Sequence, residues 1–86
     1  MKQHHVTLDE SDGHVAISID DRELFDFVED HLTSHGFIYD YFREEASGDH
    51  TLFVMHFGVG VDRARLKEVI GLIDPQEIQR VWAINN

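Results

Sequence analysis

Cysteine is absent from the 86-residue chain. That excludes a disulfide scaffold, a thiolate nucleophile and any cysteine-ligated zinc or iron–sulfur centre. Proline occurs once, at Pro75, and no stretch has the Gly/Ser/Pro composition of a linker. Basic residues are scarce: seven Lys and Arg face seventeen acids, a formal charge of −10. Such a chain repels phosphate backbones and anionic lipid, so neither direct nucleic-acid contact nor membrane binding is expected. Long hydrophobic runs are missing too, and none approaches the roughly 20 residues of a membrane span. The first residues, Met1-Lys2-Gln3-His4-His5-Val6, lack an apolar signal core, which favours a cytoplasmic protein.

What remains is globular material, with 42% hydrophobic and 28% charged residues. A chain of this size can bury about two-thirds of its extended surface, enough for one modest core. Residues 1–86 are therefore read as one domain, with an N-terminal segment at 1–13 and a core at 14–86. The charge is lopsided. Residues 1–50 carry thirteen acids against three bases, whereas residues 51–86 carry four of each.

Periodicity gives the element order. Val15, Ile17 and Ile19 alternate, which predicts a strand over 14–19 with one buried side. Asp20 stands three residues before Glu23, as an N-cap would before a capping-box acid. Leu24, Phe27, Val28, His31 and Leu32 then share one helical face, and Gly36 supplies the stop of a helix over 21–35. Residues 37–45 and 50–58 are rich in aromatic and β-branched side chains, and the turn-forming Ala46-Ser47-Gly48-Asp49 joins them as a hairpin. Asp62 can cap a second helix with Val61 and Leu66 as a hydrophobic staple, and Leu66, Val69, Ile70 and Ile73 form its apolar stripe. Asp74-Pro75 ends it, and residues 77–84 read as a last strand.

The resulting order is a ferredoxin-like βαββαβ sandwich of the α+β class, an antiparallel sheet with two helices on one face. An extra N-terminal strand over residues 4–8, paired with 14–19 through the turn at Asp9–Gly13, conflicts with the usual place of the fourth strand. This architecture hosts many activities, so function must come from a site.

Seven histidines invite a metal reading. His31 and His35 lie at i and i+4 on the first helix, a workable pair of ligands, although helix-end histidines also answer the helix dipole. His50 and His56 share a strand face but stand about 20 Å apart. His4, His5 and His14 would cluster if the N-terminal strand pairs with 14–19. Gly58-Val59-Gly60 before a helix resembles a phosphate-binding turn, yet the third glycine, lysine and hydroxyl of the known fingerprints are missing. No nucleophile is set beside a base, so no enzyme is expected, and no cofactor is implied.

Two surfaces stand out. The outer face of the first helix collects Glu23, Asp26, Glu29 and Asp30, an acidic ridge suited to a basic protein partner, or simply a solvated face. The hairpin carries large apolar groups on both sides, with Tyr39 and Tyr41 on one and Ile38 and Phe42 on the other. Only one side can meet the helices, so the open sheet face invites a partner or a homodimer. The expected function is a small non-catalytic protein-binding domain: an inhibitor, immunity factor or regulator of a basic nuclease or nucleic-acid-handling protein. The alternative is a homodimeric sensor of a small ligand or metal.

Overall fold

A computed structural model describes residues 2–3, 5–11, 13–84 and 86. The chain runs β1 (Lys2–Gln3), β2 (Val6–Ser11), β3 (His14–Ile19), α1 (Arg22–Ser34), β4 (Tyr41–Ser47), β5 (His50–Phe57), α2 (Arg63–Gly71) and α3 (Pro75–Trp82). The strands form one antiparallel sheet in the order β1-β2-β3-β5-β4. Because β5 is antiparallel to both its neighbours, β3 and β4 run parallel with β5 between them. The unit β3-α1-β4 is thus a crossover that skips one strand, which is the half of the expected topology that survives.

The other half is different. Residues 77–84 are not a strand: Pro75–Trp82 is a helix whose Asp74 cap accepts from the Gln76 amide at 2.9 Å. Pro75 suits the first helical turn because its missing N–H would have had no helical partner there. Ile78 and Val81 are buried and Trp82 packs beside them, a spacing of three and four that no strand could turn to one side. The sheet position that a fourth strand would take beside β3 belongs instead to β2. Its register, Val6 opposite Ile19 through Ser11 opposite His14, extends the expected N-terminal strand past residue 8. His4 and Asp12 lie outside the described residues.

The first turn of α1 also departs from expectation. Asp21, not Asp20, is the cap; its Oδ2 accepts from the Leu24 amide at 2.9 Å and its Oδ1 from Asn86 Nδ2 at 3.0 Å. At the far end Gly36, with φ of 87°, provides the left-handed turn. The Gly36 amide bonds to the Thr33 carbonyl and the Phe37 amide to the Leu32 carbonyl, closing a Schellman motif. Residues 36 and 37 are committed to that cap, which is why β4 starts at Tyr41 rather than at Phe37.

One buried cluster joins Val6, Leu8, Val15, Ile17, Ile19, Met55 and Phe57 of the sheet to α1, α2 and α3. Leu24, Phe25, Val28 and Leu32 are the buried residues of α1. Phe25 therefore replaces Phe27, which only packs against the cluster's edge. The reason is lateral: Phe25 reaches under the β4–β5 hairpin, with ring centroids 5.4 Å from Phe42 and 5.9 Å from Phe53.

Candidate partner-binding surface and the adjoining groove

The acidic ridge is present as expected along α1. Glu23, Asp26 and Asp30 are exposed and Glu29 is half-buried. Arg22 lies 3.7 Å from Asp26, but both side chains are more than half exposed, so the pair gives the ridge little neutralisation. The Tyr39 phenol donates to Glu29, and this bond, with burial and the nearby charges of Glu29 and Asp26, raises its pKa above the ordinary value. Tyr39 is in turn 6.1 Å from Phe42, ring to ring, in an edge-on arrangement. Ridge, Tyr39 and Phe42 thus form one surface.

That surface ends on a free strand edge. β4 is the last strand of the sheet, and residues 41–46 are all exposed, Tyr41 at 57% and Phe42 at 45%. An unpaired edge offers N–H and C=O groups to any strand that approaches. Edge and ridge share the same acidity, since Glu44 and Glu45 sit on β4 itself.

Tyr41 belongs elsewhere. The register sets it opposite His56, on the sheet face away from the core, where its ring stacks on the imidazole at 4.5 Å and 11°. Arg43 donates from Nε to His56 Nε2 at 3.0 Å and pairs with Glu45 at 2.6 Å. Burial first, then the Arg43 charge, lowers the His56 pKa. This face is not the aromatic platform that the sequence suggests. Phe37 and Tyr39 precede the strand, Phe42 and Phe53 point to the helix side, and Thr7, Asp9, Ser18, Arg43 and Glu45 occupy the far side instead.

At one end of the sheet a groove of about 660 Å³ runs between the α1–β4 connection and the β5–α2 turn. His14, Ile38, Asp40, Gly58, Val59 and Asp62 are among its lining residues. A smaller hollow of about 250 Å³ shares His14, Asp40, Phe57 and Gly58 with it and reaches Tyr41 and His56. The Asp40 amide donates to the His56 carbonyl at 2.8 Å, which sets the residue over the turn. Its carboxylate lies so close to Gly58 that a Cβ there would stand 2.5 Å from Oδ2. Asp62 Oδ1 caps α2 by accepting from the Arg65 amide at 3.1 Å. Two carboxylates thus flank the glycine turn that resembled a phosphate site, and they make it hostile to anions.

The histidines are dispersed. His31 Nε2 donates to the Val69 carbonyl of α2 at 2.8 Å, and His35 Nδ1 donates to the His31 carbonyl at 2.8 Å. The two rings approach to 4.6 Å, each with one nitrogen engaged by backbone. Among the described residues no group of three or more histidine, aspartate or glutamate side chains is placed to hold a metal ion. His5 and His14 stand at opposite ends of the β2–β3 hairpin.

One constellation escaped the sequence reading. His5 has a left-handed backbone, φ 68°, and donates from Nδ1 to Asp20 at 2.9 Å while its ring stacks on Trp82 at 4.2 Å and 7°. These contacts fasten the turn before β2 to the start of α1 and the end of α3. The Asp20-Asp21 pair carried the only hint: one acid caps, and the other needs a partner. Comparison with known protein families, curated proteins and solved structures returned no match. No helix among the described residues is long and apolar enough to cross a membrane.

Proposed function

We propose that the protein is a non-catalytic binding domain that docks a basic protein partner on the surface made by the α1 ridge and the β4 edge. The observation that carries this reading is the junction at Tyr39. Its bond to Glu29 and its ring contact with Phe42 join a row of carboxylates to an exposed aromatic at an unpaired strand. Aromatic anchors inside a charged rim are what specific interfaces use, and complementary charge speeds association. A partner strand adding to β4 would gain main-chain hydrogen bonds and meet Glu44 and Glu45 on its way in. Those acids favour a basic segment over a second copy of this chain, whose own β4 would bring the same charges. A protein inhibitor or immunity-type regulator of a basic nuclease or nucleic-acid-handling protein fits this description.

The test is a pull-down from the native host with mass-spectrometric identification, run beside a triple variant, Glu23→Lys, Asp26→Lys and Asp30→Lys. Glu29 is left in place because it holds Tyr39. The expected result is a basic protein retained by wild type at low salt, released as salt rises, and lost from the triple variant. Each exposed substitution should move stability by only about 0.5 kcal/mol, so circular dichroism and the melting midpoint should stay near wild type. Retention of the same partner by the folded triple variant would refute the ridge.

A further inference from the structure

We infer that the groove between the α1–β4 connection and the β5–α2 turn is a socket for one arginine side chain of the basic partner, an inference that rests on the docking function proposed above. Three features of the groove define its occupant. First, its charge is negative: Asp40 and Asp62 both line it. Of the cations of α2, Arg65 pairs with Glu68 at 2.8 Å and Lys67 with Glu10 at 2.6 Å, and the Arg63 charge also acts on Glu10. Second, its rim is apolar. Ile38 is 79% exposed and Val59 68%, and both line the same hollow. Third, the Asp40 backbone is placed by its amide bond to the His56 carbonyl, and its carboxylate rests against Gly58, where a Cβ would stand 2.5 Å from Oδ2 and push it aside.

A guanidinium answers all three. It carries a fixed positive charge in a planar fork that matches a carboxylate with two parallel hydrogen bonds, and its aliphatic stem packs on apolar groups. Ile38 and Val59 would take the stem and Asp40 the fork. A volume of about 660 Å³ accommodates the side chain together with part of its backbone. An anion is disfavoured because the α2 N-terminus already has the Asp62 carboxylate on its Arg65 amide. Gly58 serves Asp40, not a phosphate.

The experiment titrates the full ¹⁵N-labelled chain with acetyl-Gly-Arg-Gly-amide and follows amide chemical shifts. Saturable shifts centred on Ile38, Gly58, Val59 and Gly60 are expected. The same peptide with citrulline, which keeps the shape and removes the charge, should leave them in place. Asp40→Asn should weaken the arginine peptide by about tenfold or more, because a neutral amide cannot accept two charge-assisted bonds. Gly58→Ala should also weaken it, because the new methyl displaces the carboxylate while the backbone tolerates alanine. Equal binding of the citrulline peptide, arginine shifts confined to α1, or movement of the groove amides by inorganic phosphate would each overturn the socket. The two proposals separate cleanly. If Asp40→Asn holds the captured partner as well as wild type while the triple ridge variant loses it, the socket falls and the docking function stands. If the peptide fills the groove and the ridge variant keeps its partner, the ridge falls instead.

Discussion

Leu8, Ile17, Met55 and Phe42 are neighbours in one row across the sheet, all on its helix side. The first three are 4%, 0% and 0% exposed; the fourth is 45% exposed. The helices cover β2, β3 and β5 and meet β4 at its margin, where the Phe25 ring of α1 lies against Phe42, so one row of apolar residues spans both the core and the surface. The row divides the molecule's work: its inner members hold the fold, and its outer member is free to meet something else. A residue's type alone does not tell the two apart, since a phenylalanine buries more area than an isoleucine when both are covered.

The strongest way to break this comparison is to truncate both ends of the row. Ile17→Ala should cost about 2–5 kcal/mol, as buried aliphatic truncations do. Phe42→Ala should cost under about half of that, because much of the ring's surface is in water before the change. Urea unfolding of the two variants measures both. Equal losses would mean that β4 belongs to the core and is no free edge.

A second, smaller effect sharpens the contrast at the start of α1. Asp21 is 7% exposed and caps the helix, so Asp21→Ala should lose about 1–2 kcal/mol, the upper part of the range for N-caps. The bond from Asn86 goes with it. Asp20→Ala removes only the link to His5, and the Leu24 amide should stay protected from hydrogen exchange in that variant but not in Asp21→Ala. Loss of protection in both would assign the cap to the two acids jointly.

That pair also marks how far the sequence could be read. The acidic ridge, the α1 and α2 spans, the Gly36 stop, the Asp62 cap and the β4–β5 hairpin all follow from local patterns, and each is found in place. Local pattern failed where two readings were locally equal. Asp20 and Asp21 are both competent caps, and only the position of His5 decides between them. Ile78, Val81 and Trp82 fit a helix by spacing, but Asp74-Pro75 was spent on ending α2 when it also begins α3. Capping signals face both ways across a three-residue gap. The groove was legible only in part: Gly58 and Gly60 marked a special turn, while Asp40, eighteen residues away, decides its sign.

The last and smallest effect concerns the far side of the same sheet, where His56 alternates with the buried Met55. Its pKa is held below the ordinary 6.5, by burial first and by Arg43 second. The neutral ring accepts from Arg43, so a proton on Nε2 would replace that bond with repulsion. As the pH falls below 6.5 the unfolded chain binds a proton at this residue that the folded chain still refuses. The unfolded state gains, and stability declines with each step of acid until the depressed native value is passed. Below that point both states are protonated and the loss from this group is complete. Comparing wild type with His56→Gln between pH 8 and pH 5 isolates it, because the two chains differ at this residue alone. The wild-type midpoint should fall more steeply with acid than that of the variant. Arg43→Gln should recover only part of the difference, since burial is the larger cause. Parallel curves for wild type and His56→Gln would mean that the ring takes its proton freely, and that this face of the sheet is as open to water as the β4 edge.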